Sequence, residues 1–350
     1  MRSRKISFAF LFGFGDPLPS NYTYLSGFSG HGILVVPSNS SPFLAVPLME
    51  AEKARECMKN TGINCKVIPA KNKLMDEVRK RVRGRIIGID KGALTLDLFE
   101  RAKKIFKKAR FEDIGVDIYR LRSVKNNEEK KDIARACAIS DDILRLCIKR
   151  FMNFRTEKDV ADFLEGETRK RGCSLSFPTI IASGSGASQP HYSPKDIRLR
   201  KGFCIIDFGV RFNGYCSDTT RTVFIGNPTT KEQELYAKVL AAQEESIKSC
   251  APGKKCSEIM SICTEKLGYL KKYFIHGLGH GVGTEIHEFP SLNTGSSDTL
   301  QEGMVFTIEP GIYFSGKTGI RIEDTLFMGK TPEILTKIPK DLLTIEKTRA

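Results

Sequence analysis

The first third of the chain alternates short apolar runs with segments whose apolar residues recur at helical spacing. Segments 49–60 and 93–109 carry the helical pattern. Strands are predicted for the apolar runs GILVVP (32–37), FLAVP (43–47), NCKVIP (64–69) and RIIGID (85–90). Strands that alternate with helices predict a small α/β domain over residues 1–122, with the charged stretch 122–132 at its boundary.

The pattern then changes, and residues 123–350 predict a larger domain of helices and strands, so that the chain as a whole is α+β. Thr156 is a plausible N-cap of its second helix, and Gly172 is a plausible stop. The order helix, helix, paired strands occurs twice, which predicts two related halves, although they share no visible sequence identity. The predicted elements are a helix over 127–153, a helix after Thr156, strands within 202–226, helices over 230–250 and 256–267, and strands over 303–314 and 319–328.

The start of the chain allows two interpretations. Basic residues followed by an apolar run imitate a secretory signal, but no small-residue A-x-A-like cleavage site follows them. Residues 6–15 fit a buried first strand equally well. No apolar run approaches the roughly 20 residues that cross a bilayer, so no membrane span is expected.

Ten scattered cysteines form no C-x-x-C pair, which argues against a zinc ribbon or a thioredoxin-like site and favours a reducing cytoplasm. The net charge of +15 is concentrated in residues 1–125, which carry 24 basic and 12 acidic side chains. Such a surface could attract nucleic acid. Because no nucleic-acid motif accompanies the charge, solvated helix faces are the favoured interpretation, and no nucleic-acid partner is expected.

Asn213-Gly214 is the strongest hairpin signal in the sequence. With these two residues as the turn, the numbers of facing residues sum to 427. Asp207 then faces Thr220, and Asp218 faces Gly209. Asp207 and Asp218 therefore share one face as diagonal neighbours, about 7–8 Å apart unless a bulge shifts the register.

Two acids on one face of so apolar a hairpin are costly unless a cation or hydrogen-bond donors compensate for their burial. The alternative is that the acids cap turns or pair with Arg211 or Arg221. Glu309 in FTIEPGIY and Glu323 in IRIEDT form a second pair of acids inside strand-like runs. Four carboxylates can hold two hard divalent cations, with some oxygens bridging.

The segment HGLGHGVGTEIH (276–287) holds three of the five histidines of the chain. His276 and His280 have the spacing of a zincin helix, but the interleaved glycines disfavour a helix, and the glutamate of H-E-x-x-H is absent. A glycine-rich extended segment instead lets imidazole and backbone approach a site closely. With His191 in ASQPHYSP, the segment indicates a metal-centred site, whereas His31 is expected to be structural.

These segments resemble the pita-bread metallopeptidases of the M24 type, which include Xaa-Pro dipeptidase (prolidase), aminopeptidase P and methionine aminopeptidase. The resemblance covers nearly the whole chain and implies a C-terminal pita-bread domain with pseudo-twofold halves (123–350) behind a creatinase-type N-terminal domain (1–122). It rests on NYTYLSGFSG, LRSVKNNEEKKDIARACAIS, FPTIIASGSGASQPHYSP, IIDFGVRFNGYCSDTTRT, HGLGHGVGTEIHEFP, EGMVFTIEPGIY and GIRIEDT.

The resemblance also implies a set of metal ligands. Asp207 would hold one ion through both oxygens, and Asp218 and Glu323 would bridge two ions. His280 and Glu309 would complete the shell of the second ion. Manganese or cobalt is favoured for such a donor set, and zinc or iron would also be accepted.

Further roles follow from the same resemblance. Glu309 would accept a proton as a hydroxide that bridges the two metals attacks the peptide carbonyl. His287 would hydrogen-bond the developing oxyanion or the substrate carbonyl, and His191 would assist on the substrate side. Arg321, beside Glu323, would contact the substrate or order the Glu323 carboxylate, and His276 would support a ligand or simply pack.

The implied activity is hydrolysis of the Xaa-Pro bond of short proline-containing peptides by a cytoplasmic homodimer, with the N-terminal domain helping to close the site. Dipeptidase activity is favoured over aminopeptidase P, because the chain and its N-terminal domain are compact. Against this, the arginine that often follows the HExP motif of prolidases is replaced by Ser291, Leu292 and Asn293. A pita-bread binding module without catalysis is the third and least favoured interpretation.

Overall fold

The computed structural model describes residues 4–62 and 64–345, so the ends of both predicted domains, 1–3 and 346–350, lie outside the described residues. The chain divides into two compact units, Met1–Leu121 and Arg122–Ala350. Among the described residues, no helix is both long and apolar enough to span a bilayer.

The first unit is built on one mixed sheet of six strands, in the order β4-β3-β2-β1-β5-β6. Strand β2 is antiparallel to both β1 and β3, and the other neighbours are parallel. The elements are β1 (Phe8–Gly13), α1 (Ser20–Ser26), β2 (Gly32–Pro37), β3 (Phe43–Pro47), α2 (Ala51–Thr61), β4 (Lys66–Ala70), α3 (Leu74–Arg81), β5 (Ile86–Ile89), α4 (Leu96–Ile105), β6 (Arg110–Asp113) and α5 (Gly115–Ser123).

Helices cover both faces of this sheet, and successive side chains of a strand point to opposite faces, so each strand contributes to two cores. Ala9 and Leu11 of β1 pack in a core with residues of α1, α2 and α5. Phe10 and Phe12 of the same strand pack in a second core with residues of α3 and α4. The predicted α/β character and the predicted first strand are therefore confirmed, and β2 and β3 have the predicted bounds.

In the second unit the predicted order of two helices followed by strands occurs twice. Its main sheets have the orders β20-β12-β9-β8 and β14-β13-β15-β18-β19. The elements are α6 (Asn127–Lys149), α7 (Glu157–Lys170), β7 (Ser174–Leu175), β8 (Ile180–Ser183), β9 (Gly202–Phe208), β10 (Val210–Phe212), β11 (Tyr215–Cys216), β12 (Thr219–Ile225), α8 (Thr230–Ser249), α9 (Cys256–Leu267), β13 (Gly279–Gly281), β14 (Glu288–Leu292), β15 (Val305–Ile308), β16 (Gly311–Phe314), β17 (Thr318–Arg321), β18 (Asp324–Met328), β19 (Pro332–Ile334) and β20 (Thr344–Ile345).

The helix ends of this unit follow local sequence signals. The Thr156 hydroxyl accepts the amide of Asp159, whose carboxylate accepts the amide of Thr156, so the predicted N-cap of α7 is confirmed as a capping box. Helix α6 is shorter than predicted: it ends at Lys149, and a 3₁₀ turn over Phe151–Asn153 replaces its expected last residues. This turn places the Phe151 ring fully inside the core.

The predicted hairpin register is confirmed. Asn213 and Gly214 both have positive φ, 48° and 86°, as a two-residue type I′ turn requires. Phe212 pairs with Tyr215, and Asp207 pairs with Thr220, so facing numbers sum to 427 on both parts of the hairpin. The ladder is interrupted between these two parts, and Asp218 lies in the interruption, one residue beyond the last pair, Phe208 and Thr219.

The two strands predicted over 303–314 and 319–328 are each divided, which corrects the sequence prediction. The chain leaves the five-stranded sheet after β15, forms the separate hairpin β16–β17, and returns as β18. Pro310 lacks the amide needed to continue the ladder. The amide of Glu309 instead donates to Leu278 O (2.8 Å), and that of Glu323 donates to Thr220 O (3.1 Å). Both glutamates therefore lie at a break between strands.

Candidate metal centre

Five residues from both halves of the second unit converge at one point. Asp207 lies near the end of β9, and Asp218 immediately precedes β12. His280 lies in β13, while Glu309 follows β15 and Glu323 precedes β18. Asp218, His280 and Glu323 each offer one ligand atom, and these atoms lie within 4.8 Å of one another. The structure thus brings together all five residues that the sequence singles out as ligands.

The imidazole of His280 is oriented toward two of the acids. Its Nε2 lies 3.5 Å from Asp218 Oδ2 and 3.3 Å from Glu309 Oε1. Its Nδ1 donates a hydrogen bond to the carbonyl oxygen of Gly281, 3.1 Å away. In the neutral ring this contact leaves the lone pair on Nε2, the atom that faces the carboxylates.

Asp207 and Glu323 are held by neighbouring donors. Arg321 Nη2 donates to Asp207 Oδ2 at 2.5 Å, and Thr220 Oγ1 donates to Glu323 Oε2 at 2.7 Å. The second oxygen of Asp207, Oδ1, is buried and has no hydrogen-bond partner among the described residues. A buried carboxylate oxygen without a partner is costly, and a cation would satisfy it.

The charges of the cluster favour a bound cation as well. Burial raises the pKa of Asp218 and of Glu323 well above the ordinary value, and the negative charges of neighbouring acids raise them further. For Glu309, burial acts in the same direction, but the hydrogen bond and charge of His280 outweigh it and lower the pKa to about 2. Carboxylates that repel one another in a buried site, with one oxygen unpartnered, fit divalent cations.

The glycines around His280 are required by close backbone contacts. A Cβ atom on Gly279 would lie 2.0 Å from Thr307 O, and one on Gly281 would lie 2.0 Å from Phe289 O. Both distances are far below van der Waals contact. The glycine-rich segment therefore serves close packing of β13 between β14 and β15, which holds His280 against the acids.

We expect Gly279→Ala to destabilise the protein by about 2 kcal/mol and to weaken metal binding, because the added methyl group must push β13 away from β15. Urea unfolding and Mn²⁺ titration of chelator-treated protein would measure the two effects. Gly295→Ala is the matched control, since its Cβ would lie 3.6 Å from the nearest neighbouring atom, Asn293 Oδ1. Equal stability and equal metal affinity of the two variants would contradict the packing argument.

A cavity of about 940 Å³ opens over the acids. His191 and His287 line it and are exposed, and the ring centroid of His287 lies 4.3 Å from that of His280. Although its surface is exposed, partial desolvation by the surrounding cavity walls and the charge of His280 lower the pKa of His287. Phe177 and Ile286 also line the cavity and add apolar surface that the sequence did not single out.

Arg321 and His276 belong to one hydrogen-bond chain beside the acids. Arg321 is 3% exposed and bonds to Asp207, rather than to the adjacent Glu323 that the sequence suggested. Its Nη1 also donates to Tyr313 Oη at 2.8 Å. His276 Nδ1 donates to the carbonyl oxygen of Gly277 at 2.7 Å, so in the neutral ring Nε2 accepts the hydroxyl proton of Tyr313, 2.9 Å away. Local spacing could not reveal Tyr313, because its partner His276 lies 37 residues away in the chain.

Comparison with known proteins decides the family. Residues 131–330 match the model of metallopeptidase family M24, which is 200 of the 350 residues. This chain belongs to metallopeptidase family M24. Residues 1–124 match the creatinase/prolidase N-terminal domain, which accompanies the M24 domain in this chain. The M24 membership makes the chain a metallopeptidase with the pita-bread fold that the sequence motifs predicted.

Proline-specific peptidases are among its M24 relatives. The Xaa-Pro dipeptidase of Pyrococcus furiosus is 37% identical over 334 residues, 93% of each chain. The crystal structure of the prolidase from Pyrococcus horikoshii is 34% identical and superposes with a TM-score of 0.89, covering 98% of this chain and 97% of that one. The X-Pro aminopeptidase from Thermotoga maritima is 30% identical, also with a TM-score of 0.89, covering 99% and 100%.

Proposed function

We propose that this protein is a metal-dependent Xaa-Pro dipeptidase. The observation that carries the proposal is the convergence of four acids and one imidazole below a cavity, with a buried Asp207 oxygen that lacks a partner. The similarity to the Pyrococcus furiosus Xaa-Pro dipeptidase supports the substrate class. The substrates are short proline-containing peptides with a free amino terminus.

We infer that the five residues hold two divalent cations. Asp207, Asp218, His280, Glu309 and Glu323 would hold these ions through their carboxylate oxygens and the imidazole Nε2. Four carboxylates with a single imidazole favour manganese or cobalt, and zinc or iron would also be accepted. When bound, the cations act as Lewis acids that lower the pKa of a water molecule and polarise the scissile carbonyl.

The remaining steps use the side chains of the protein. The Glu309 carboxylate accepts a proton from the attacking water and delivers it to the prolyl nitrogen, which must be protonated to leave as an amine. His287 donates a hydrogen bond to the carbonyl oxygen as negative charge develops there. His191, which lines the same cavity, contacts the substrate. Arg321 acts on Asp207 rather than on the substrate.

A second candidate activity, that of aminopeptidase P, is favoured by one feature of the cavity. Ser291 and Asn293 line it, and both are neutral. Asn293 Nδ2 donates to Ser291 Oγ at 2.7 Å, so the pair is held together at the position where prolidases often carry an arginine. Neutral side chains at this position would hold the carboxylate of a dipeptide less strongly than an arginine and would tolerate residues beyond the proline.

Cleavage of Ala-Pro beside Ala-Pro-Ala by chelator-treated protein, with and without added Mn²⁺ or Co²⁺, distinguishes these activities. We expect metal-dependent hydrolysis of Ala-Pro and little cleavage of Ala-Pro-Ala. Efficient release of alanine from the tripeptide would instead assign aminopeptidase P. Asp218→Ala is the inactive control. No hydrolysis of either peptide by metal-loaded protein would favour a binding module.

We further propose that the protein is cytoplasmic and acts as a homodimer. All ten cysteines are free thiols, nine of them buried, as expected in a reducing compartment. The homodimer rests on the resemblance to the proline-specific enzymes alone. Sedimentation of the purified protein would test it, because a monomeric mass at micromolar concentration is incompatible with a stable dimer.

A further inference from the structure

A cluster of buried charges lies in the second unit, apart from the five candidate ligands. Arg122, Lys125 and Glu288 each have a side chain that is only 1% exposed. Arg122 Nη2 donates to Glu288 Oε1 at 2.5 Å, and Lys125 Nζ donates to Glu288 Oε2 at 3.0 Å. Fully buried ion pairs rarely add net stability compared with apolar side chains of similar size. Their presence therefore needs a reason other than stability.

Glu288 closes the loop that precedes it. Its Oε1 accepts the amide of Glu285 at 3.0 Å and the hydroxyl of Thr284 at 3.3 Å. The carboxylate also packs directly on Gly283, where a Cβ atom would lie 2.4 Å from Oε2. The Glu288 side chain thus fixes the backbone of residues 283–288, and Arg122 and Lys125 hold that side chain in place.

The residue before Glu288 is His287, and the two side chains enter different surroundings. Glu288 enters the buried charge cluster, whereas His287 enters the cavity. Within the part of the chain that the structure describes, the His287 ring has no hydrogen-bond partner. Apart from its contact with the His280 ring, its direction therefore depends on the backbone of its loop, which Glu288 anchors.

The segment that carries Arg122 and Lys125 is itself hydrogen-bonded to the strand region of the second unit. The amide of Lys125 donates to Gly303 O at 2.8 Å, and Val124 forms an isolated bridge with Met304, the residue before β15. Arg122 Nη2 additionally donates to Thr284 Oγ1 and to Glu285 Oε2, both at 2.9 Å. The loop that contains His287 is therefore bonded to residues 122–125, which are distant in the sequence.

We propose that Arg122 and Lys125 are positioning residues for His287, acting through Glu288. The proposal rests on the proposed function, in which His287 contacts the carbonyl oxygen of the substrate. Loss of the Arg122 or Lys125 side chain loosens the loop, so that His287 is less often oriented to hydrogen-bond the substrate carbonyl. The effect appears in kcat, while KM and metal affinity remain close to those of the wild type.

A double-mutant cycle on kcat for Ala-Pro tests this role. We expect Lys125→Met to lower kcat about tenfold in the wild-type background and less than about twofold in the His287→Ala background, because the interaction partner is then missing. Lys131→Met, which breaks the exposed pair with Glu128, is the matched control and leaves kcat unchanged. Equal losses in both backgrounds, or no loss in the wild-type background, would overturn the proposal.

Two further measurements keep the test decisive. If Lys125→Met does not fold, Thr284→Val replaces it in the double-mutant cycle with His287→Ala. Thr284→Val removes contacts to both Arg122 and Glu288 while preserving side-chain shape. The chain has five histidines, so the His287 ring signals can be assigned by NMR from their loss in His287→Ala.

We expect Lys125→Met to shift the His287 ring signals and to leave those of His31 unchanged. Unshifted His287 signals would overturn the positioning role even if the wild-type protein hydrolyses no Xaa-Pro peptide. In that case the activity assay rejects the proposed function, while the ring signals decide the positioning role by themselves.

Discussion

Replacing Asp218 with asparagine is expected to abolish peptide hydrolysis and, at the same time, to stabilise the metal-free protein. Burial and the negative charges of Glu323, Asp207 and Glu309 raise the pKa of Asp218 well above its usual range. Ionised Asp218 therefore costs free energy whenever no cation is present. We expect activity to fall on the order of 1,000-fold or more. The metal-free variant should gain on the order of 1–3 kcal/mol relative to the metal-free wild type.

Urea unfolding of chelator-treated protein, repeated with saturating Mn²⁺, measures both parts of this prediction. Added Mn²⁺ should stabilise the wild type strongly and the variant weakly, because binding to the folded state alone raises the free energy of unfolding. Asp142→Asn is the matched control, since that carboxylate is 67% exposed on α6. A metal-free Asp218→Asn protein that is less stable than the wild type would contradict mutual repulsion in the site.

Arg221→Met should cause a large loss of stability although it replaces none of the candidate ligands. Arg221 is 3% exposed, and its Nη2 donates to Asp324 Oδ1 and to Ile338 O, both at 2.7 Å. The substitution leaves the buried Asp324 carboxylate without its Arg221 partner. It also removes the hydrogen bond to Ile338 O, which holds the segment before β20. Breaking a buried pair in this way costs about 3–5 kcal/mol.

Chemical denaturation of the metal-loaded protein measures this loss. Lys131→Met is the control because Lys131 is 71% exposed and pairs with Glu128, which is 79% exposed, and it should change the free energy of unfolding by less than about 1 kcal/mol. Similar effects for the two variants would show that the buried network around Asp324 carries no special weight. Asp324 would still have Lys340 Nζ at 3.0 Å and Gln243 Nε2 at 2.8 Å as partners in Arg221→Met.

Features encoded by local chemistry could be predicted from the sequence. The turn residues Asn213 and Gly214 determine the register of a whole hairpin, so the relation between Asp207 and Asp218 follows from two positions. Strands β2 and β3 both end at prolines, where the ladder loses a donor, and their bounds were predicted to the residue.

Features that depend on distant partners could not be predicted. The breaks at Glu309 and Glu323 occur where their amides bond to other strands, and the apolar pattern continues across both positions. Arg321 lies two residues from Glu323 in sequence but bonds to Asp207, 114 residues away. The partners of Glu288 in the buried charge cluster are more than 160 residues distant. Pattern and spacing do not encode such contacts.

We propose that five converging residues give this protein a metal-dependent Xaa-Pro dipeptidase activity. The most direct test titrates Mn²⁺ into chelator-treated protein and follows bound metal and Ala-Pro hydrolysis together. We predict no hydrolysis without metal, and activity that rises until two ions are bound per chain. Full activity of the metal-free protein, or two bound ions without any hydrolysis of Ala-Pro, would contradict the account.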